Sequence, residues 1–283
     1  MTISVHAFTE TELEAVDEVI KVAYNVQESR KESLRRYLAL QPGGSFVAEQ
    51  NDAVIGFGGA MDYGPFAYIG LMCVHLSTQK RGIGGLILEH LLAWLDARAC
   101  PTVLLDATPV GAPLYERYEF MEDDRTVVLR QTQRVLLPQD LPEGVSILRE
   151  EDLPALVAFD APCFGADRGA ILASYLADNP QRTLVVCNAY GQITGYLIAQ
   201  YRTLGPWVVR AAEDAERLLL HALTLPFEGE PGVFVSANNS DALKLLARYG
   251  FSQQREPSHM WKGKHVLRSR HTMLYGQASL GFG

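Results

Sequence analysis

Apolar and polar positions change rhythm in short blocks along the chain. Residues 3–8 alternate as a short strand. Leu13, Val16, Val19, Ile20 and Ala23 recur at helical spacing behind Thr9 and Thr11, either of which can cap a helix. Residues 32–40 predict a second short helix, stopped by Gln41-Pro42-Gly43-Gly44. Residues 46–49 and 54–60 predict a hairpin across Gln50-Asn51-Asp52, and residues 68–74 a further apolar strand. A strongly periodic helix follows at 86–95. Residues 103–108 read as a buried strand, residues 114–120 as a short helix, and residues 125–131 as a closing strand. The stretch 136–144, with Pro138, Pro142 and Gly144, reads as a linker.

The order then repeats. Residues 145–149 match the opening strand, and Glu151-Asp152-Leu153 starts a helix as Thr11-Glu12-Leu13 does. Residues 184–187 and 193–199 match the hairpin, with Gly195 in the place of Gly56. Residues 233–251 parallel 105–120, with Arg248-Tyr249-Gly250-Phe251 set against Arg117-Tyr118-Glu119-Phe120. The division predicted is a first domain over 1–134, a linker over 135–144, a second domain over 145–275 and a C-terminal tail over 276–283. The fold class predicted is α/β (α+β): two tandem domains, each a mixed, mostly antiparallel sheet flanked by helices.

The chemistry concentrates in Gln79-Lys80-Arg81-Gly82-Ile83-Gly84-Gly85, which joins the strand at 68–74 to the helix at 86–95. Strand, glycine loop and helix aim several backbone amides at one point before a helix N-terminus, where they and the helix dipole favour phosphate oxygens. Gly82 and Gly84 are expected to let a ligand approach the backbone. Two familiar phosphate loops fail: the Walker A ending is absent, since Leu86 follows Gly85, and the spacing does not fit the dinucleotide fingerprint. In the second half, the run after Trp207 has no glycines. It carries Glu213, Asp214 and Glu216 instead, which would repel an anion there.

Gln-x-x-Gly-x-Gly closely resembles the pyrophosphate loop of the GNAT N-acetyltransferase superfamily. Leu71-Met72-Cys73-Val74 resembles that family's fourth strand, and Leu114-Tyr115-Glu116-Arg117 its short helix after the fifth. Two departures stand out: Thr108 where Asn is usual, and Glu119 where Gly is usual. The resemblance implies two GNAT-like domains, the second degenerate and without a cofactor of its own, as in bacterial two-domain GNAT proteins of unassigned substrate. It implies an acyl-CoA-dependent N-acyltransferase, with acetyl-CoA as cosubstrate and a primary amine of a small molecule or protein as acceptor. Met72, Cys73, Val74, Gln79, Lys80, Arg81, Gly82, Ile83, Gly84, Gly85 and Thr108 would bind the cofactor. Tyr115 would protonate the leaving thiolate as general acid. Glu49, His75 and Asp106 are candidates for the general base. A non-catalytic acyl-CoA-binding sensor or interaction protein is the alternative.

Composition narrows the partners. Over 283 residues the net charge is −8 and charged residues make 20%, which argues against a nucleic-acid binder and suits a cationic acceptor. Four single cysteines without CxxC predict a reduced, cytoplasmic protein, and seven scattered His predict no metal site. No secretory leader and no membrane span are expected. The protein is expected as a monomer or homodimer. The basic stretch 262–271 reads as a solvated final strand.

Overall fold

The computed structural model describes residues 2–264 and 271–283. The first half runs β1 (Ser4–Ala7), α1 (Leu13–Tyr24), α2 (Lys31–Leu40), β2 (Ser45–Gln50), β3 (Ala53–Asp62), β4 (Ala67–Val74), α3 (Ile83–Ala97), β5 (Thr102–Ala107), α4 (Ala112–Arg117) and β6 (Met121–Gln131). The second half repeats the order as β7 (Val145–Ile147), α5 (Leu153–Phe164), α6 (Gly169–Asp178), β8 (Thr183–Cys187), β9 (Ile193–Ala199), β10 (Leu204–Val209), α7 (Ala212–Ala222), β11 (Gly232–Ser236), α8 (Ser240–Arg248) and β12 (Phe251–Arg255). Two further strands follow, β13 (Ser258–Gly263) and β14 (Leu274–Gly276). The repeat read from the sequence is therefore present element by element. The structure adds α6, whose Ile171, Leu172 and Tyr175 are buried.

Helix α1 shows why the local pattern works. Leu13, Val16, Val19 and Ile20 fall on one face and are buried, and Asn25 ends the helix in the left-handed region. Each such side chain contributes roughly 1.5–3 kcal/mol on burial. They pack on Phe57 and Cys73 of the first sheet. Helix α3 covers the opposite face with Ile83, Ile87, Leu88, Leu91 and Leu95.

The sheets exchange strands. The larger one runs β1-β2-β3-β4-β5-β13-β6-β11, with β12 also on β6. Strand β13, from the far end of the chain, lies between β5 (Met260↔Leu105) and the first part of β6 (Met260↔Glu122). The later part of β6 lies between β11 (Phe234↔Val128) and β12 (Ser252↔Arg130). Each half thus receives one strand segment from the other. The stretch 125–131, read as a closing strand, is instead an interior strand because its two edges are both taken. In β13, Lys262 pairs with Glu119 at 2.9 Å; most of the rest of 262–271 lies outside the described residues.

Residues 276–283, read as a tail, are packed. Phe282 is buried with its ring against Tyr37 at 4.7 Å between centroids, and the Tyr37 hydroxyl donates to Gly281 O at 2.8 Å. In the second half, Asp160 and Arg168 form a buried two-pronged ion pair (2.8 and 2.9 Å), and the Tyr196 hydroxyl also donates to Asp160 at 2.6 Å. Burial works against the Arg168 charge, but Asp160 outweighs it and holds the guanidinium above its ordinary value.

Candidate active site

The site begins where two strands part. Strands β4 and β5 run parallel and pair only at Ala67↔Val103, Tyr68↔Leu104 and Ile69↔Leu105. Beyond that, β4 continues to Val74 and β5 to Ala107, each with its outer neighbour intact. The inner edge of residues 70–74 therefore faces a gap. Leu71 takes φ +54°, and the register on β3 shifts opposite it. That irregularity puts Leu71 on the α1 side while Met72 and Val74 pack towards α3. A free strand edge of this kind can pair with an extended amide chain.

The loop after β4 closes above the gap. Gln79 Nε2 donates to Val74 O at 3.1 Å, which ties the loop back to the strand it leaves. Lys80 adopts φ +62° and Gly82 φ +80°, the left-handed region where a side chain is costly. Gly82 is the residue just before α3, so the amides of Ile83, Gly84 and Gly85 have no intrahelical partner. Lys80 and Arg81 are exposed and make no ion pair among the described residues. Gly84 differs from its expected role. A Cβ there would lie 3.2 Å from Leu114 Cδ2, so its missing side chain lets α4 sit against α3. Open space surrounds Gly82 instead.

Helix α4 brings Tyr115 inside. Its ring is 7% exposed and meets Phe120 edge-on at 5.7 Å, within the cluster that holds Ile69 and Ala107. Burial pushes the phenol above its ordinary value, and Cys73 across the gap adds to the rise. The hydroxyl is thus protonated at any working pH. Tyr118, its sequence neighbour, points outward and donates to Glu89 at 2.7 Å. Burial also pushes the Cys73 thiol up to about 12, so it is a poor thiolate nucleophile. Thr108 Oγ1 accepts from the Gly111 amide at 3.2 Å and shapes the turn into α4.

Sequence reasoning missed Tyr24, the last residue of α1. Its hydroxyl donates to Met72 O at 2.9 Å from the face opposite α3. Burial, with Cys73 and Tyr115 adding, pushes its phenol well up. Tyr24 and Tyr115 therefore flank the gap from its two sides. Its only sequence signal was helical spacing from Ile20. Of the candidate bases, Asp106 follows the last paired rung and accepts from the Tyr68 and Thr126 hydroxyls. His75 is turned to Ser77, and Glu49 lies two strands away, near His6.

Among the described residues the second half shows no such gap. Strand β14 pairs with β10 at Trp207↔Gly276, and Gln277 N donates to Phe234 O of β11 at 2.9 Å. The chain's own residues thus fill the corresponding slot. At the head of α7, Asp214 accepts from Thr194 at 3.1 Å and Glu216 from Tyr249 at 2.5 Å.

Residues 13–120 match the sequence model of the GNAT acetyltransferase family, and residues 156–276 match that of a GNAT acetyltransferase domain. The chain belongs to the GNAT superfamily. It carries two GNAT domains in tandem. A candidate acetyltransferase from Pyrococcus horikoshii superposes with TM-score 0.87 at 27% identity, over 99% of this chain and 96% of the other. A GCN5-related N-acetyltransferase from Sphaerobacter thermophilus gives 0.71 at 17% identity, over 92% and 95%. A tandem GNAT protein of clavulanic acid biosynthesis gives 0.63 at 13%, over 94% and 99%. The last two likenesses concern fold alone. No curated protein sequence matches the chain. All four cysteines of this GNAT protein are free. Among the described residues there is no grouping of His, Cys, Asp and Glu that could hold a metal, and no helix is long and apolar enough to cross a membrane.

Proposed function

We propose that the first half transfers an acyl group, with acetyl the expected one, from acyl-CoA to a primary amine, and that the second half binds no cofactor. The parting of β4 and β5 beneath the Gln79–Gly85 loop carries this reading. The amides of residues 80–85 would hold the diphosphate, and the β4 edge at Met72–Val74 would pair with the amides of the pantetheine arm. The amine nitrogen attacks the thioester carbonyl; a C–N bond forms and the C–S bond breaks. The thiolate takes its proton from the Tyr115 hydroxyl, and the amine's proton passes to water. Positioning contributes much of the acceleration in such a site.

Gly82→Glu tests the grip on the diphosphate. The variant forces a side chain into the left-handed region and sets a carboxylate among amides that favour anions. Together these are expected to cost about 2–3 kcal/mol of acetyl-CoA binding, a loss of roughly 30–150-fold. Calorimetric titration reads the affinity and circular dichroism confirms the fold. A folded variant that binds acetyl-CoA like the parent would refute the assignment. Release of free thiol with a panel of amines tests the transfer itself.

A further inference from the structure

The loop between α1 and α2, residues 25–30, leaves directly from Tyr24 and carries one acidic and one basic side chain, Glu28 and Arg30. Asp17, buried in α1, accepts from the Arg30 amide at 2.5 Å and pairs with Lys21 at 3.0 Å. That contact fixes where the loop re-enters α2 and so where the Arg30 side chain starts. Glu28 in the same loop reaches across to Arg202 of the second half at 3.5 Å, and Arg202 also meets Glu228 at 3.2 Å. Arg130, from the part of β6 taken by the second half, donates to Glu230 O at 2.9 Å. Arg255 ends β12 opposite Val128, on the strand next to Arg130.

These groups share one region. A bond from its own backbone amide holds the Glu28 carboxyl below its ordinary value, and Arg202, Arg30 and Arg130 add to this. Burial pushes the Arg30 guanidinium down despite nearby Glu28 and Tyr24, and Arg255 presses it further. Arg255 also acts on Tyr24, whose hydroxyl sits on Met72 O. Three guanidinium groups thus act on the Glu28 carboxylate, Arg202 also meets Glu228, and Arg255 stands near Arg30. Arg202 and Arg130 are spent on Glu28, Glu228 and Glu230 O. Among the described residues the side chains of Arg30 and Arg255 make no hydrogen bond and no ion pair. Arg30 is half-buried and Arg255 is exposed beside it; a half-buried cation without a partner is costly unless an anion arrives.

We propose that the acceptor is a small amine bearing an oxyanion, a carboxylate or a phosphate, which Arg30 and Arg255 hold beside Tyr24 at the mouth of the gap. This rests on the acyl-transfer reading and names its substrate class. It reverses the expectation of a cationic acceptor, because the local cluster and not the net charge of −8 meets the substrate. The fork of a guanidinium suits both oxyanions.

The test uses the full chain saturated with CoA, so that the Gln79–Gly85 loop is already filled. Calorimetry then compares two matched pairs of probes: N-acetylglucosamine 6-phosphate against N-acetylglucosamine, and N-acetyl-alanine against its methylamide. The charged member of at least one pair is expected to bind about tenfold or more tightly than its neutral counterpart. The pair that shows the preference tells phosphate from carboxylate. The double variant Arg30→Gln, Arg255→Gln is expected to lose that preference while its CoA affinity stays within about twofold of the parent. Equal binding of charged and neutral probes, no binding of either, or a preference that survives in the double variant overturns the proposal. A parent that fails to bind CoA in the first titration overturns the acyl-CoA reading and this one with it.

Discussion

Tyr115→Phe is expected to lower kcat about 100- to 10,000-fold while leaving acetyl-CoA affinity within about twofold. The ring keeps its edge contact with Phe120 and its place among Ile69 and Ala107, so packing survives. Only the hydroxyl is lost. That hydroxyl is held in its neutral form by burial, so under the proposed reaction it carries the proton that the thiolate takes. Free-thiol release under saturating acetyl-CoA measures the rate, and calorimetry measures the binding. A variant with parental kcat would remove Tyr115 from the chemistry. Tyr118→Phe is the control, since its hydroxyl serves Glu89 at the surface, and it should change kcat less than about twofold.

Asp160→Ala is expected to destabilise the protein by about 3–5 kcal/mol, because it leaves a buried guanidinium without its anion. Both side chains of the pair are 1% exposed. The Tyr196 hydroxyl loses its acceptor in the same step. Asp160→Asn keeps the shape and one acceptor, and should fall between parent and alanine variant. Urea unfolding followed by fluorescence reads both. A loss under about 1 kcal/mol for the alanine variant would show that water reaches Arg168 and replaces the carboxylate.

What the sequence made legible was mainly local. Gln79 and Gly82 declare the loop because a left-handed turn before a helix needs few residues and leaves a compact mark. Tyr115 stands out because its register against Leu114 and Glu116 is fixed within one helical turn. What stayed hidden depended on distant partners. Nothing in residues 258–263 says that β5 and β6 will lie on either side of them; the neighbour of a strand is set by the whole sheet. Phe282 reads as part of a loose end until Tyr37 and Arg36 close around it. Gly84 reads as space for a ligand until Leu114 occupies that space. Arg30 and Arg255 lie far apart along the chain, so no motif could join them, and an overall acidic balance pointed the other way.

The traded strands also set a timetable for synthesis. Strand β5 has left the ribosome's decoding site once residue 107 is made, yet β13, which must lie beside it, starts only at residue 258. At ~5–20 residues per second that is a wait of roughly 8–30 s. During it, the nascent β5 keeps a bare hydrogen-bonding edge, the kind that recruits stray strands. Neighbouring chains on one polysome would be the nearest such strands, so translation speed over residues 108–263 is a quantity on which the yield of correctly assembled protein depends.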